Sequence, residues 1–436
     1  MSILFPTPHT SGRVISPEWV ASLTGGKVHK GALPATDIHW DSRKVGEGTA
    51  FIALPGARVH GREFGPSSFE KGAPFVITDG AHPGAIQVQR PEQALLALGR
   101  ALRDGFIGTV LAVGGSSGKT TTKECIAQGL GWPAPEGNLN NAPGLTRFFW
   151  HLNPEVEGAV VELGIDRQLE MAELTYLAKP AIGVMTAIGV EHLDGLGNLD
   201  NVIREESWLL WVSPLKLASV QAAKHAPMSG LKTYGLEVGD FQARQVKFTL
   251  NDARFTYSDS RKAVYLPYPG IGPVLGATAA LATAEMLGKS VSDTIERLAN
   301  LKLPSGRMQK LELGGIHFIN DAYNSNPLSF WSGMEYLKTQ PANKWLVLGR
   351  MAELGSEAEE HHLEAARLAA EVSPNLVFVG PYAKAQQEIA GGYALETLEQ
   401  AAAKLREVVK KGDLVYLKAS RSVGMEKLLG MLGEEQ

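Results

Sequence analysis

Residues 110–124 read VLAVGGSSGKTTTKE: an apolar run, a turn of glycines and serines, then Lys119 and three threonines. The run fits a buried strand and the stretch from Lys119 fits the opening of a helix. A turn between two such elements aims backbone N–H groups and the positive end of the helix dipole at one spot, which suits a polyphosphate. In this reading Lys119 neutralises the outer phosphates and Thr120 ligates magnesium, while Gly115, Ser116, Ser117, Gly118 and Thr121 complete the ATP cradle. The spacing departs from G-x-x-x-x-G-K-[ST], which needs glycine at the position of Val113, so the turn is tighter. A phosphate loop alone serves a kinase, an ATPase or a ligase.

The composition narrows the setting. At about 100–200 residues per domain, 436 residues accommodate two to four domains, each able to bury a core. A formal charge of −4 supplies no basic field for nucleic acid and leaves small molecules as the expected partners. The opening MSILFPTPHTSGR lacks a charged segment before a long apolar one, and no stretch approaches the roughly 18 apolar residues of a membrane span. A soluble, cytoplasmic protein without membrane insertion is expected. Cys125 is the only cysteine, which excludes an internal disulfide and a cysteine-based zinc cluster. Its place just inside the helix after the turn reads as a small buried apolar residue.

Alternation of short apolar runs with helical stretches sets the fold class as α/β with three domains. Residues 1–105, with TAFIAL and PFVIT separated by LPGARVHGREFGP, read as a small α/β unit. Residues 106–304 alternate GTVLAVGG, GAVVELG, LEMAELTYLA, AIGVMTAIG and DNVIREESWLLWV, the pattern of a doubly wound parallel sheet. Around residues 250–275 the chain reads as irregular, after which ATAALATAEMLG and VSDTIERLANL read as helices, the second capped by Ser292. Past LPSGR, residues 305–436 alternate again as a Rossmann-like unit: GIHFIN, a helix after Pro327, KWLVLG, EAEEHHLEAARLAAEV, LVFVG, a helix near 395–410, and DLVYLKA. EAEEHH reads as a solvated helix face.

The tight phosphate loop is followed in order by GNLNN (137–141), VVELG (160–164), HLDGLG (192–197), DAYNSNP (321–327) and LGRMAELG (348–355). On these motifs the chain resembles the Mur ligase family over nearly its whole length. The resemblance implies a small UDP-precursor-binding domain, a central P-loop ATPase domain and a C-terminal Rossmann-like domain that receives the amine substrate. It implies ATP and Mg2+ as cofactors, and UDP-muramoyl-tripeptide and D-alanyl-D-alanine as substrates in peptidoglycan precursor synthesis, with the chain acting as a monomer. The implied reaction is amide formation through an acyl phosphate. Charge accumulates at both steps and calls for metal and cationic groups.

The family roles fall on residues of this chain. Lys119, Asn140, Asn141, His192 and Arg307 are the implied catalytic set, and Arg307 and Asp321 join the phosphate loop in binding ATP. A guanidinium fork suits phosphate. Thr120, Glu162 and His192 match the metal positions, and hard oxygen ligands suit magnesium. Glu206 stands where family members carry a lysine modified to a carbamate, so the chain itself offers the carboxylate. Ser42, Arg43 and His60 match the segment holding the UDP precursor. Asn324, Asn326, Arg350, Lys418 and Ser420 fall on the amine-substrate side, and closing of the third domain over the second is expected to bring Arg307 and Asp321 to ATP. Three further departures accompany the match: GIGPVLGA (270–277) has Gly272, Pro273 and Gly276 where histidine and asparagines are usual, Arg350 replaces a carboxylate, and Ala419 replaces a glycine. A related ligase with another substrate, including a folylpolyglutamate-type enzyme, and a non-catalytic precursor-binding protein are the other readings.

Overall fold

The computed structural model describes residues 13–56, 59–137, 139–258 and 262–433. Most of the opening segment, Ala57 and Arg58 of the glycine-rich loop, and Asn138 of GNLNN lie outside the described residues. The chain forms two compact units. One runs to Ala112 and adds Trp132–Gly164 and Leu169–Ala181, and the other comprises Val113–Gly131, Ile165–Gln168 and Ile182 onward.

In the first unit, β1 (Lys27–Val28), β2 (Asp37–His39), β3 (Thr49–Ile52), β4 (Val76–Thr78) and β5 (Ala85–Gln87) form a sheet in the order β1-β5-β4-β3-β2. All neighbours are parallel except β1 and β5. TAFIAL and PFVIT become β3 and β4, whose Phe51 and Val76 share a small core with Val45, Ala53 and Ala73. The helix Pro91–Asp104 packs on the helix Ala142–His151, and a side chain at Gly99 would meet Leu177 and Thr146, which explains the glycine there. Asp37 opens β2 and accepts two hydrogen bonds from Arg147, both 2.9 Å, and is 2.8 Å from His151 Nε2. This ties the sheet to the Ala142–His151 helix. The unit also holds the start of β6 (Thr109–Gly114) and all of β7 (Gly158–Glu162).

The second unit takes up the end of β6 and carries β8 (Ile182–Met185), β9 (Leu215–Ser219), β10 (Leu231–Leu236), β11 (Phe241–Phe248), β12 (Ala253–Tyr257) and β13 (Lys262–Leu266). These lie side by side, parallel from β8 to β11 and antiparallel from β11 to β13. The expected irregular stretch near 250–275 is therefore corrected to the paired strands β12 and β13. Buried Phe255 and Tyr257 alternate with exposed Arg254 and half-exposed Thr256, a one-sided strand whose polar face hides it among loop residues.

Two helix readings change as well. Helix Val291–Leu298 is capped by Ser290, which accepts from the Asp293 N–H, while Ser292 lies inside the first turn and accepts from Lys262. A cap must precede the first helical residue, and Ser290 does. In the helix Ile271–Met286, Gly276 faces the helix Lys119–Leu130: a Cβ there would stand 3.0 Å from Cys125 Sγ and 3.3 Å from Thr122 Cα. The missing side chain lets the two helices close. Cys125 is fully buried, as expected.

The same unit contains a third sheet, β14 (Gln309–Leu313), β15 (Ile316–Asn320), β16 (Lys344–Leu348), β17 (Asn375–Val379), β18 (Tyr393–Leu395) and β19 (Leu414–Lys418), ordered β14-β15-β19-β16-β17-β18. Only β14 runs antiparallel to its neighbour. One face is covered by a core around Phe330, Met334, Tyr336 and Leu376, the other by one around Val347, Val377, Ala401 and Leu405. The α/β fold with three sheets stands as read. EAEEHH does not: Glu359 and Glu360 are exposed, but His362 is 1% exposed and packs inward, because positions 362, 365, 366 and 369 form the helix's core stripe.

Candidate active site

The phosphate loop is built on positive-φ glycines. Gly115 has φ +121°, and a Cβ on it would come 2.7 Å from the Ala187 carbonyl. Gly118, with φ +85°, caps the helix Lys119–Leu130 without a side chain. Ser116 donates its N–H to Ala187 O and exchanges two 3.0 Å hydrogen bonds with Gly189, which fastens the loop to the segment after β8. Lys119 Nζ reaches Gly115 O at 2.6 Å and Glu191 Oε1 at 3.5 Å, so the ammonium is folded back over the loop. Thr120 and Thr121 are buried just behind it and Ser117 is half-buried.

Acidic groups gather beside this loop. Glu206, on the helix Leu199–Val212, is wholly buried. Its Oε2 accepts the Gly115 N–H at 2.7 Å, and its Oε1 has no hydrogen-bond partner among the described residues. Burial pushes its carboxyl up to about 8 even though the Lys119 charge pulls the other way. Burial likewise raises Glu191. His192 has φ +49° and is bridged at Nδ1 by Glu353 Oε2 at 2.6 Å and Asp166 Oδ1 at 3.2 Å. Burial acts to lower its pKa, but Glu353 and Glu191 prevail and raise it, and the bond to His192 lowers Glu353 in return. The His192 ring, Glu206 and Lys119 thus lie close enough to feel one another's charge beside the loop. Glu353 and Glu191 are members that the motifs did not assign a role; Glu353 lies inside LGRMAELG and Glu191 immediately precedes HLDGLG, which was the available signal.

C-terminal residues reach the same loop. Asn326 caps the helix Pro327–Lys338 through Oδ1 and turns Nδ2 to Ser116 O at 2.9 Å. Ser420 is buried, donates to Ser325 O and accepts the Ala352 N–H at 2.7 Å. Its own N–H goes to Arg350 O. Buried Lys418 pairs with half-buried Asp321 at 2.7 Å although the two carry different implied roles, with Tyr416 also donating to Asp321 Oδ2. Lys418 Nζ reaches Asn324 O as well. The Arg307 guanidinium lies 4.0 Å over the Tyr323 ring and its Nε is buried without a partner among the described residues. Arg350 lies exposed at the edge of a cavity of about 450 Å³, with Gly380, Thr397, Val423 and Lys427 among its lining.

The first unit holds the remaining candidates. Asn140 donates to Glu162 Oε1 at 3.0 Å at the end of β7, so these two are brought together. Asn141 spends its Oδ1 capping the helix Ala142–His151. Arg43 forks onto Asp41 at 2.9 and 2.8 Å, Ser42 begins the same short turn, and His60 Nδ1 caps another by accepting from Arg62 N–H. Among the described residues no three histidine, cysteine or acidic side chains form a ready-made metal cage. Magnesium does not demand one: it keeps waters and takes one or two carboxylates with the phosphates. The unpartnered Glu206 Oε1 and the hard oxygen donors fit that mode.

Three family descriptions match in sequence: "Mur ligase family, catalytic domain" over residues 35–99, "Mur ligase middle domain" over 113–284 and "Mur ligase, glutamate ligase domain" over 306–421. The UDP-N-acetylmuramoyl-tripeptide–D-alanyl-D-alanine ligase of Bacillus subtilis is 29% identical, with 94% of this chain and 96% of that protein covered. The Escherichia coli protein of the same name is 27% identical over 95% and 97%. Among solved structures, MurF from Acinetobacter baumannii superposes with a TM-score of 0.89 at 28% identity, covering 98% of this chain and all of that one. MurF from Thermotoga maritima in complex with ADP gives 0.81 at 28% identity, covering 92% and 97%. With the phosphate loop, the carboxylates beside it and the C-terminal loops in the order these proteins share, the chain belongs to the Mur ligase family.

Proposed function

We propose that the protein is an ADP-forming ligase that joins D-alanyl-D-alanine to UDP-N-acetylmuramoyl-tripeptide. The observation that carries this is the junction, within one unit, of the phosphate loop with the loops at 324–326 and 350–353, through Asn326 to Ser116 and Glu353 to His192. The relatives of that name span nearly the whole chain.

A carboxylate oxygen of the tripeptide attacks the γ-phosphorus of ATP and ADP leaves. The dipeptide amine then attacks the acyl carbon, a proton is lost and inorganic phosphate departs. Lys119 and the loop N–H groups hold the phosphates and offset the charge that builds on them. Arg307 supplies a second cation from the 303–308 turn. Thr120, Glu162, His192 and Glu206 would hold Mg2+, which when bound neutralises phosphate oxygens. Asn140 and Asn141 set the substrate carboxylate. Asp321, paired with Lys418, faces the nucleotide, and Ser42, Arg43 and His60 take the UDP end. Asn324, Asn326, Arg350, Lys418 and Ser420 form the amine side, where Arg350 attracts the dipeptide carboxylate. Residues 1–105, 106–304 and 305–436 divide the work as precursor, ATP and amine domains, and the chain works as a cytoplasmic monomer.

Phosphate release from ATP and magnesium, measured with the UDP-tripeptide and with or without D-alanyl-D-alanine, tests the reading. Release that requires both substrates and is indifferent to bicarbonate supports it, including Glu206 as the built-in carboxylate. Release with another amine only, or binding without release, overturns it.

A further inference from the structure

His362 occupies a place that neither the charge pattern nor the phosphate chemistry anticipates. Its ring is 1% exposed and stacks on Tyr382, with centroids 4.0 Å apart and planes 24° from parallel. Nδ1 donates to the Ala358 carbonyl one turn earlier, which fixes the tautomer and leaves the Nε2 lone pair free. That lone pair accepts the backbone N–H of Met351 at 2.9 Å. The His362 carbonyl accepts from buried Gln386, so the residue is held from both sides.

Met351 sits in the middle of the loop that leaves β16. Arg350 precedes it, with its carbonyl held by the Ser420 N–H. Ala352 follows, with its N–H on Ser420 Oγ. Glu353 comes next in the left-handed region, φ +64°, with its carbonyl on the Leu193 N–H and its carboxylate on His192. Of three consecutive residues, Arg350 and Ala352 are thus tethered to Ser420 and Met351, between them, to His362. Ser420 holds the loop to β19, whereas His362 holds it to the helix Ala358–Val372. Both anchors are needed to define the path, because a loop pinned on one side keeps a rotational freedom that a second pin removes.

We infer that His362 is a positioning residue for the reaction: through the Met351 N–H it sets the path of the loop at Arg350 and Met351, and so the placement of Arg350 toward the amine substrate, while Glu353 keeps its own anchor at Leu193. This rests on the functional reading above. Charges facing the ring come from Arg350 and His361, and burial holds the imidazole neutral, which keeps Nε2 an acceptor.

Gln and Asn distinguish this role from mere packing. The Oε1 of glutamine stands where histidine Nε2 does, whereas the Oδ1 of asparagine stands near Nδ1 and cannot reach Met351. In the full-length enzyme, His362→Asn is expected to raise the KM for D-alanyl-D-alanine roughly tenfold, the order expected when a buried N–H loses its acceptor. The KM for ATP stays within about twofold, and His362→Gln recovers most of the loss. Thermal unfolding of both variants is followed alongside. Equal kinetics for the Asn and Gln variants at equal Tm, or parallel changes in every KM, overturn the inference. An unmutated enzyme that shows no turnover with D-alanyl-D-alanine overturns the functional reading instead. In that event, amide hydrogen exchange at Met351, faster in the Asn variant than in the Gln variant if the pin is real, still decides the role of His362.

Discussion

Gly115 bears several demands at once: a positive φ, a carbonyl that receives Lys119, an N–H on Glu206, and no room for a Cβ beside Ala187. Gly115→Ala is expected to destabilise by about 1–2 kcal/mol from the left-handed backbone alone, with the contact to Ala187 adding to it. It should also abolish stabilisation by ADP in a thermal-shift titration. Glu206 poses a different test. Its removal as a charge leaves the Gly115 N–H an amide oxygen to bond, so Glu206→Gln should fold. Magnesium-dependent phosphate release should fall by at least about tenfold, while unmutated enzyme is unaffected by bicarbonate. Retained release at the same magnesium concentration would remove Glu206 from the metal set. At this scale the loop chemistry was legible because it is local. The Asp321 pairing with Lys418 was not: 97 residues separate them, and only the adjacency of β15 and β19 makes them neighbours.

Among the elements, the helix Pro327–Lys338 shows how a local signal acquires a distant use. Asn-Pro followed by a helical stretch predicts a capped start, and the capping box with Ser329 is present. The same Asn326 side chain spends its Nδ2 on Ser116, 210 residues away. Asn326→Asp keeps the cap but loses that donor, and Asn326→Ala loses both. The expected ordering is a loss of about 1 kcal/mol in stability for Ala and much less for Asp. Catalytic turnover should fall in both, read as phosphate release beside the unfolding midpoint. The helix Ile271–Met286 makes the converse point: its glycine at 276, a departure from the family pattern, admits the neighbouring helix at Cys125. Sequence can show that a residue is unusual; the packing partner supplies the reason.

For the molecule as a whole, the link between the first sheet and the helix Ala142–His151 rests on Asp37. Burial acts to raise its carboxyl, but His151 and Arg147 hold it well below the usual carboxylate range. A depressed carboxyl binds fewer protons folded than unfolded, so its stabilisation is present above pH about 4 and is lost as pH falls further. Asp37→Asn should therefore lower the unfolding free energy at pH 7 by about 1–3 kcal/mol, and the gap to the unmutated protein should narrow below pH about 4. A gap independent of pH in urea titrations would assign the link to shape, not charge. The sequence by itself determined the α/β alternation, the phosphate loop and the order of the motifs, since strand period, turn chemistry and helix-opening signals act over a few residues. Tertiary structure alone decided that His362 turns inward to hold Met351, that residues 253–257 and 262–266 pair as strands, and that Asp321 meets Lys418. Those outcomes depend on which face a distant element covers and which buried polar group lacks a partner until the chain closes on it.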